Sequence, residues 1–330
     1  MISGTAPVSL EVLQAEIKPR LSGVREEIRR LIEADFPLIA QVNSHLTRMQ
    51  GKMLRPTLLL LADAATAPAP DPRSVPLAAV VELIHLATLV HDDAVDHSVL
   101  RRGMPTINAL FSHQVAVIMG DYLYSRAVIE LVRLADLEPL RVLSRVTNEM
   151  TVGEMRQLLA HDPLAFAEAD YDLLIRAKTA SLISGACEVG ALSGTSGERD
   201  AMRQFGECLG MAFQIVDDVL DFTGEEEATG KPAGLDLREH KVTLPLIHAL
   251  PRMSVAQRTQ VEALMDNPQP NELEISRVVV AVTERGGLEY ARERAQAFCE
   301  RAETALEAIR PSPARETLRA SLTYVLERRR

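Results

Sequence analysis

The apolar positions of this chain fall almost everywhere at three- and four-residue steps. Leu13, Ile17 and Leu21 lead into Val24, Ile28, Leu31 and Ile32, the spacing of one helix face. Pro19 and Gly23 interrupt that run, which predicts either two helices or one kinked helix. The same period returns over 74–96, 111–135, 139–160, 168–192, 198–222, 256–266, 271–284, 287–308 and 313–328. Turn formers punctuate these runs, among them Ala67 to Pro72, Arg102 to Pro105, Gly194 to Gly197 and Gly230 to Gly234. Strand-like alternation is almost absent, and no internal repeat or linker is visible. The pattern predicts one all-α domain over 1–330, a large bundle of about a dozen helices. Segments 77–91 and 180–192 are apolar on most faces and belong in its middle.

Composition narrows the function. A length of 330 residues suggests about two domains, but the chain has no visible boundary. Net charge is −10, aromatics make up 4% and tryptophan is lacking. That argues against a nucleic-acid partner, which calls for a basic footprint and stacking rings. Cys187, Cys208 and Cys299 are far apart without CxxC spacing, as expected of reduced thiols in a cytoplasmic protein. The apolar stretches Leu58 to Ala65 and Leu182 to Leu192 are too short to span a membrane and each contains an acid. The first residues lack a signal-peptide pattern.

Two acidic clusters share one design: Asp92-Asp93-Ala-Val-Asp96 and Asp217-Asp218-Val-Leu-Asp221. At about 100° per residue, the first and last acid of each cluster lie on one helix face. One such cluster alone reads as a solvated helix end. Two copies, each following an apolar helical run, imply six carboxylates brought together, which is untenable unless they protonate or a cation neutralises them. Carboxylate donors without His or Cys at ligand spacing suit Mg²⁺, which keeps waters and bridges to substrate phosphates.

Basic residues stand beside both clusters. Lys52 and Arg55 precede a Pro56-started helix, and Arg101 and Arg102 follow the first cluster. Lys178 and Thr179 sit in an apolar helix, Gln214 lies one turn before Asp217, and Lys231 and Lys241 flank the loop after the second cluster. Each alone is an ordinary surface residue. Together they imply two anionic groups, one bridged by metal and one held by side chains.

With these motifs the sequence resembles the trans-type polyprenyl diphosphate synthases, which elongate isoprenoid chains. The likeness rests on Gly51-Lys-Met-Leu-Arg-Pro56, Glu82 through His91 to Asp96, Arg101-Arg-Gly-Met-Pro-Thr106, Gly120-Asp-Tyr-Leu-Tyr-Ser-Arg126, Phe213 through Asp221, and Gly230 through Lys241. It implies a bundle around a central catalytic cavity, with isopentenyl diphosphate and an allylic diphosphate as substrates. Asp92, Asp96 and Asp217 are implied to hold Mg²⁺ against the allylic diphosphate, with Asp93, Asp218 and Asp221 as further ligands or their supports. Arg101, Lys178, Thr179, Gln214, Lys231 and Lys241 are implied to grip that diphosphate. Lys52, Arg55, His85 and Arg102 are implied to form a metal-free isopentenyl diphosphate pocket, although a lone His in an apolar helix reads first as a core residue. A symmetric dimer using the region up to about Asp35 and a transient membrane contact for product release are also implied.

In the same family, residues just before the first acidic motif floor the product tunnel. Here they are the small Ala87 and Thr88, and the Asp92-x-x-x-Asp96 spacing has no insertion. Both imply products of about C30 to C50, with deeper walls expected near Val128 and Leu131. Leu235 and His240 depart from the family's usual Asn and Gly. The basic end, Leu326 to Arg330, reads first as a solvated helix end, while the resemblance leaves open a tail that reaches toward diphosphate. A short-chain synthase, a heteromeric subunit and a class I terpene synthase are the alternative readings. The retained acidic pair and the Lys52, Arg55 and Arg102 set count against the last two.

Overall fold

The computed structural model describes residues 8–49, 51–158, 163–224 and 234–328. Up to the first acidic cluster the chain forms α1 (Leu10–Gln14), α2 (Lys18–Ile32), α3 (Pro37–Arg48), α4 (Leu54–Thr66) and α5 (Ser74–Val95). A small antiparallel hairpin, β1 (Leu100–Arg101) and β2 (Met104–Pro105), precedes α6 (Ile107–Leu110), α7 (His113–Arg133) and α8 (Leu137–Leu158). One long helix then runs through α9 (Glu168–Ile175), a π-helical turn at Arg176–Ala180 and α10 (Ser181–Gly190). The second cluster lies on α11 (Ser196–Thr223), which α12 (Leu235–Arg238) and α13 (Leu244–Ala249) follow. The bundle closes with α14 (Val255–Asp266), α15 (Glu272–Glu284), α16 (Gly287–Leu306) and α17 (Pro313–Leu326). Thirteen described helices have eight or more residues, in keeping with the dozen that the periodicity predicts.

The later periodic runs match helices to within a few residues. The first run does not break where its punctuation suggests. Residues 15–17 separate α1 from α2, while Pro19 opens α2 and Gly23 lies inside it. Proline is suited to a first helical turn, where its missing N–H has no partner to lose. Gly23 sits where an added Cβ would be 3.3 Å from Val75 of α5, so it is a packing position.

Every residue of α10 is buried, as are Leu58 to Ala62 of α4 and Leu77 to Ile84 of α5. α10 packs on α4 and α11, and α4 packs on α5. Gly210 allows the tight approach of α11, because a Cβ there would be 2.5 Å from Ala180 Cα. α5 is long and apolar enough to cross a membrane by composition, yet 61% of its apolar window is buried within the bundle. α7 lies along α5, whereas α8 touches both only sparsely. The resulting gap is the molecule's main cavity.

Candidate active site

Both acidic clusters lie in the last turns of their helices. Asp92 and Asp93 end α5 with Asp96 as its C-cap, and Asp217, Asp218 and Asp221 precede the α11 terminus at Thr223. A helix C-terminus carries the negative end of the dipole, so acids are unfavourable there and cations favoured. Neither helix places a basic residue in its last turn. The positive charge must come from elsewhere.

The six carboxylates are not one equivalent set. Asp92 and Asp217 both line a cavity of about 910 Å³. Asp92 is 3.7 Å from Lys178 Nζ, and burial pushes its carboxyl up to about 6. Asp217 lies 2.9 Å from Arg328 Nη1, an ion pair without hydrogen-bond alignment, and burial raises its pKa too. Asp93 accepts from Arg101 Nε at 2.9 Å on both oxygens. Asp218 accepts from Tyr171 Oη at 2.6 Å and Gln214 Nε2 at 2.8 Å, and burial pushes it well above the carboxylate range. Asp221 accepts the backbone N–H groups of Leu235 and Asp236 at 3.1 and 3.0 Å, fastening α12 to α11. Asp96 is exposed and lines an adjoining cavity of about 370 Å³ with Asp218, Asp236 and Lys241.

Among the described residues, no three acidic, imidazole or thiol side chains are already gathered at metal-ligand spacing. Mutual repulsion explains that, since desolvated like charges do not close on one another without a cation. The donor chemistry still fits a hard divalent ion: oxygen ligands only, set at helix ends whose dipoles attract positive charge.

Lys178 and Thr179 are presented by the π-helical turn, a local widening often found at functional sites. Lys178 Nζ is held by Glu154 of α8 at 2.6 Å. Thr179 donates to Gln214 Oε1 at 2.8 Å, extending the chain that ends on Asp218. Lys241 pairs with Glu239 at 2.7 Å and faces Asp236 and Asp96. Lys231 falls outside the described residues. Sequence reasoning missed Glu154, Tyr171 and Asp236. Asp236 is pushed up to about 7 by burial and by the facing Asp221, and its only signal was an acid in the loop motif.

A second, largely basic pocket of about 460 Å³ adjoins the first cavity and includes Lys52, Arg55, Glu82, His85, Arg102 and Arg328. Arg102 and Gly103, both at positive φ, form the tip of the β-hairpin. That turn sends Arg101 toward Asp93 and Arg102 toward Gly51, where a Cβ would come within 2.9 Å of the guanidinium. Arg55 Nε is buried without a hydrogen-bond partner. Burial, then the charges of Arg55, Arg102 and Arg101, holds the His85 imidazole well below its usual pKa and therefore neutral. His85 thus faces a basic pocket and is no satisfied core residue.

Arg328 overturns the expectation of a solvated helix end. Its side chain is 13% exposed, sits 4.2 Å over the Phe213 ring and reaches both cavities. The reason is attraction to the desolvated Asp217 together with the face of an aromatic ring.

Below the acids, the cavity runs between α5, with Ala87, Thr88 and Ile84, and α8, with Ser144, Thr147 and Thr151. These hydroxyls donate to carbonyls of their own helix: Thr88 to His85, Ser144 to Arg141, Thr147 to Ser144 and Thr151 to Thr147. A wall that looks polar in sequence therefore offers mostly carbon to a ligand. Tyr124 of α7 lines this part of the cavity, its hydroxyl 3.3 Å from Thr147 Oγ1, whereas Val128 and Leu131 do not line it.

The polyprenyl synthetase family model matches residues 36–282. The chain is 35% identical over 320 residues to an octaprenyl diphosphate synthase of Haemophilus influenzae, covering 96% of each. A polyprenyl synthase from Caulobacter crescentus, solved with calcium and isoprenyl diphosphate, superposes with a TM-score of 0.92 at 33% identity over 99% of this chain and 100% of that one. A decaprenyl diphosphate synthase from Rhodobacter capsulatus gives 0.91 at 35% identity over 98% and 100%. With its motifs, fold and length all shared, this chain belongs to the polyprenyl synthetase family and is a prenyltransferase.

Proposed function

We propose that the protein condenses isopentenyl diphosphate with an allylic diphosphate in Mg²⁺-dependent, head-to-tail fashion and releases medium- to long-chain trans polyprenyl diphosphates. One observation carries this reading: an acidic and a basic anion subsite adjoin at the mouth of one carbon-lined cavity. Asp92, Asp96 and Asp217 would hold Mg²⁺, which supplies positive charge to the diphosphate that departs. Asp93 and Asp218, already engaged by Arg101 and by Tyr171 and Gln214, serve as supports for their neighbours. Asp221 secures the loop that carries Asp236.

Lys178, Thr179, Gln214 and Lys241 stand around the leaving group, with Lys231 as a further candidate. The allylic C1–O bond breaks and diphosphate leaves with the electron pair, a step that fixed cations favour. Lys52, Arg55, Arg102 and neutral His85 hold the second diphosphate so that the isopentenyl double bond attacks C1. The proton lost from the new chain passes to the released diphosphate. The carbon walls shield the cation from water, and small residues at Ala87, Thr88, Ser144 and Thr147 leave room for elongation.

A homodimer is part of the proposal. Ile118, Ile129 and Val132 form an exposed apolar stripe on one face of α7, while the apolar side of α2 is already buried against its own core. The interface therefore centres on α7 rather than on the first 35 residues. A cytoplasmic location, with brief membrane contact as product leaves, completes the reading.

The test is incubation with Mg²⁺, labelled isopentenyl diphosphate and farnesyl diphosphate, followed by sizing of the dephosphorylated products. A ladder reaching about C30 or beyond is expected, and products ending near C20 would overturn the open tunnel. Absence of incorporation with every allylic primer refutes the reading itself.

A further inference from the structure

The start of the chain carries no catalytic motif, yet α1 lies against the basic pocket. Gln14 Nε2 donates two hydrogen bonds, one to the Lys52 carbonyl at 3.0 Å and one to Thr57 Oγ1 at 3.0 Å. Thr57 in turn donates to the Met53 carbonyl at 2.7 Å. These three contacts bracket the turn from Gly51 to Met53. That turn needs support, because Met53 holds a left-handed backbone with φ 58°, which side chains other than glycine seldom adopt. On its other side the turn packs against Arg102 at Gly51.

α1 is itself firmly seated. Leu13 is fully buried, Ser9 caps the helix through Val12 N, and α1 packs on α4 and α17. The donors on Gln14 therefore hang from a fixed support and reach 38 residues along the chain to the Lys52 carbonyl.

We infer that Gln14 is a positioning residue for isopentenyl diphosphate: together with Thr57 it fixes the strained turn that aims Lys52 and sets the start of α4, where Arg55 stands. The inference rests on the proposed assignment of the basic pocket to isopentenyl diphosphate. Gln14 lines neither cavity, so it acts through the turn that carries Lys52 and Arg55.

The test uses the full-length protein and steady-state kinetics with Mg²⁺ held constant, varying isopentenyl and farnesyl diphosphate separately. Gln14→Leu removes the donor and leaves an apolar side chain one bond shorter than glutamine, and Thr57→Val keeps the shape without the hydroxyl. Each is expected to raise KM for isopentenyl diphosphate about 5-fold, the effect of one or two ordinary hydrogen bonds, with KM for farnesyl diphosphate and kcat unchanged. The double variant is expected to be little worse than the more affected single, because both act on one turn. Thr57→Ser, which keeps the hydroxyl, is expected to restore the wild-type KM. An unchanged KM for isopentenyl diphosphate overturns the inference, as does a parallel rise for both substrates with a lowered Tm. Where Gln14→Leu does not fold, the Thr57→Val and Thr57→Ser pair decides alone. Wild-type protein that consumes no isopentenyl diphosphate contradicts the proposed function rather than the role of Gln14.

Discussion

The two aspartate clusters have the same spacing and live in different surroundings. In each, the first acid faces the main cavity with a cation from another segment nearby, Lys178 for Asp92 and Arg328, just past the end of α17, for Asp217. In each, the second acid is buried, but Asp93 meets the charged Arg101 and Asp218 meets the neutral donors Tyr171 and Gln214. The third acids diverge most. α5 stops before Asp96 and leaves it exposed, whereas α11 continues past Asp221, whose carboxylate binds backbone N–H groups. A shared motif thus fixes which face an acid occupies, and the surrounding helices decide what the acid does.

The comparison breaks if the first acids are dispensable. Asp92→Ala and Asp217→Ala are each expected to lower product formation by about 10³-fold or more, with the helical circular dichroism unchanged, as loss of transition-state charge stabilisation requires. Near-normal turnover in either variant removes that acid from the metal site.

The second positions sharpen it next. Arg101→Met leaves Asp93 buried without its counter-charge and is expected to destabilise the fold by about 3 kcal/mol in urea unfolding. Tyr171→Phe removes one neutral donor from Asp218, with an expected cost of about 1–2 kcal/mol. Equal costs would erase the distinction between a charged and a neutral support.

Proton linkage distinguishes metal-free from metal-bound protein. Asp92 ionises near 6 in the fold and near 3.8 when unfolded, so the folded state binds more protons between those values. Stability is therefore fully present below about pH 4 and lost as pH rises through 6, by at most about 3 kcal/mol. In the presence of a chelator, Asp92 should contribute a higher Tm at pH 5 than at pH 7, against the opposite contribution of His85 and His248, whose pKa values burial depresses; melts of Asp92→Asn beside the wild type isolate the Asp92 share. Added Mg²⁺ should raise Tm more at pH 7 than at pH 5, because protonated carboxyls bind it poorly. An equal rise at both pH values would disconnect Asp92 from the cation.

The tunnel below the first cluster gives a product readout. Ala87→Phe and Thr147→Phe should each shorten the longest product while leaving the first condensation within about 3-fold of wild type. Chromatography of the dephosphorylated chains checks it, and unchanged lengths would move the tunnel away from α5 and α8. The smallest effect is expected at Arg328. Arg328→Gln frees Asp217 from a competing cation and should lower the Mg²⁺ needed for half-maximal rate by about 2- to 3-fold.

Much of this was legible in the sequence because helices announce themselves locally. The runs from 74 onward carry their own period, and the pairing of acids at i and i+4 needs no tertiary information. Other features gave weaker signals. Pro19 reads as a breaker but is an initiator, because only the neighbouring chain shows which end of a helix it occupies. Ser144, Thr147 and Thr151 line the cavity with hydroxyls bonded to their own helix, which residue type alone does not announce. Glu154 and Tyr171 stand in no acidic cluster, and only the packing of α8 and α9 brings them to Lys178 and Asp218.

By itself the sequence determined the helical class, the two acidic helix ends and the basic residues that stand beside them. Those properties follow from residue type and from spacing within a few turns. Tertiary structure decided which acid remains available, that Arg328 folds back onto Asp217, and that Gln14 braces the Lys52 turn. Arg328 meets Asp217 from more than a hundred residues along the chain, and Gln14 reaches the Lys52 carbonyl across 38. Hydrogen bonds and ion pairs act over a few ångströms of space, and nothing in a local pattern says which distant residues will share that space.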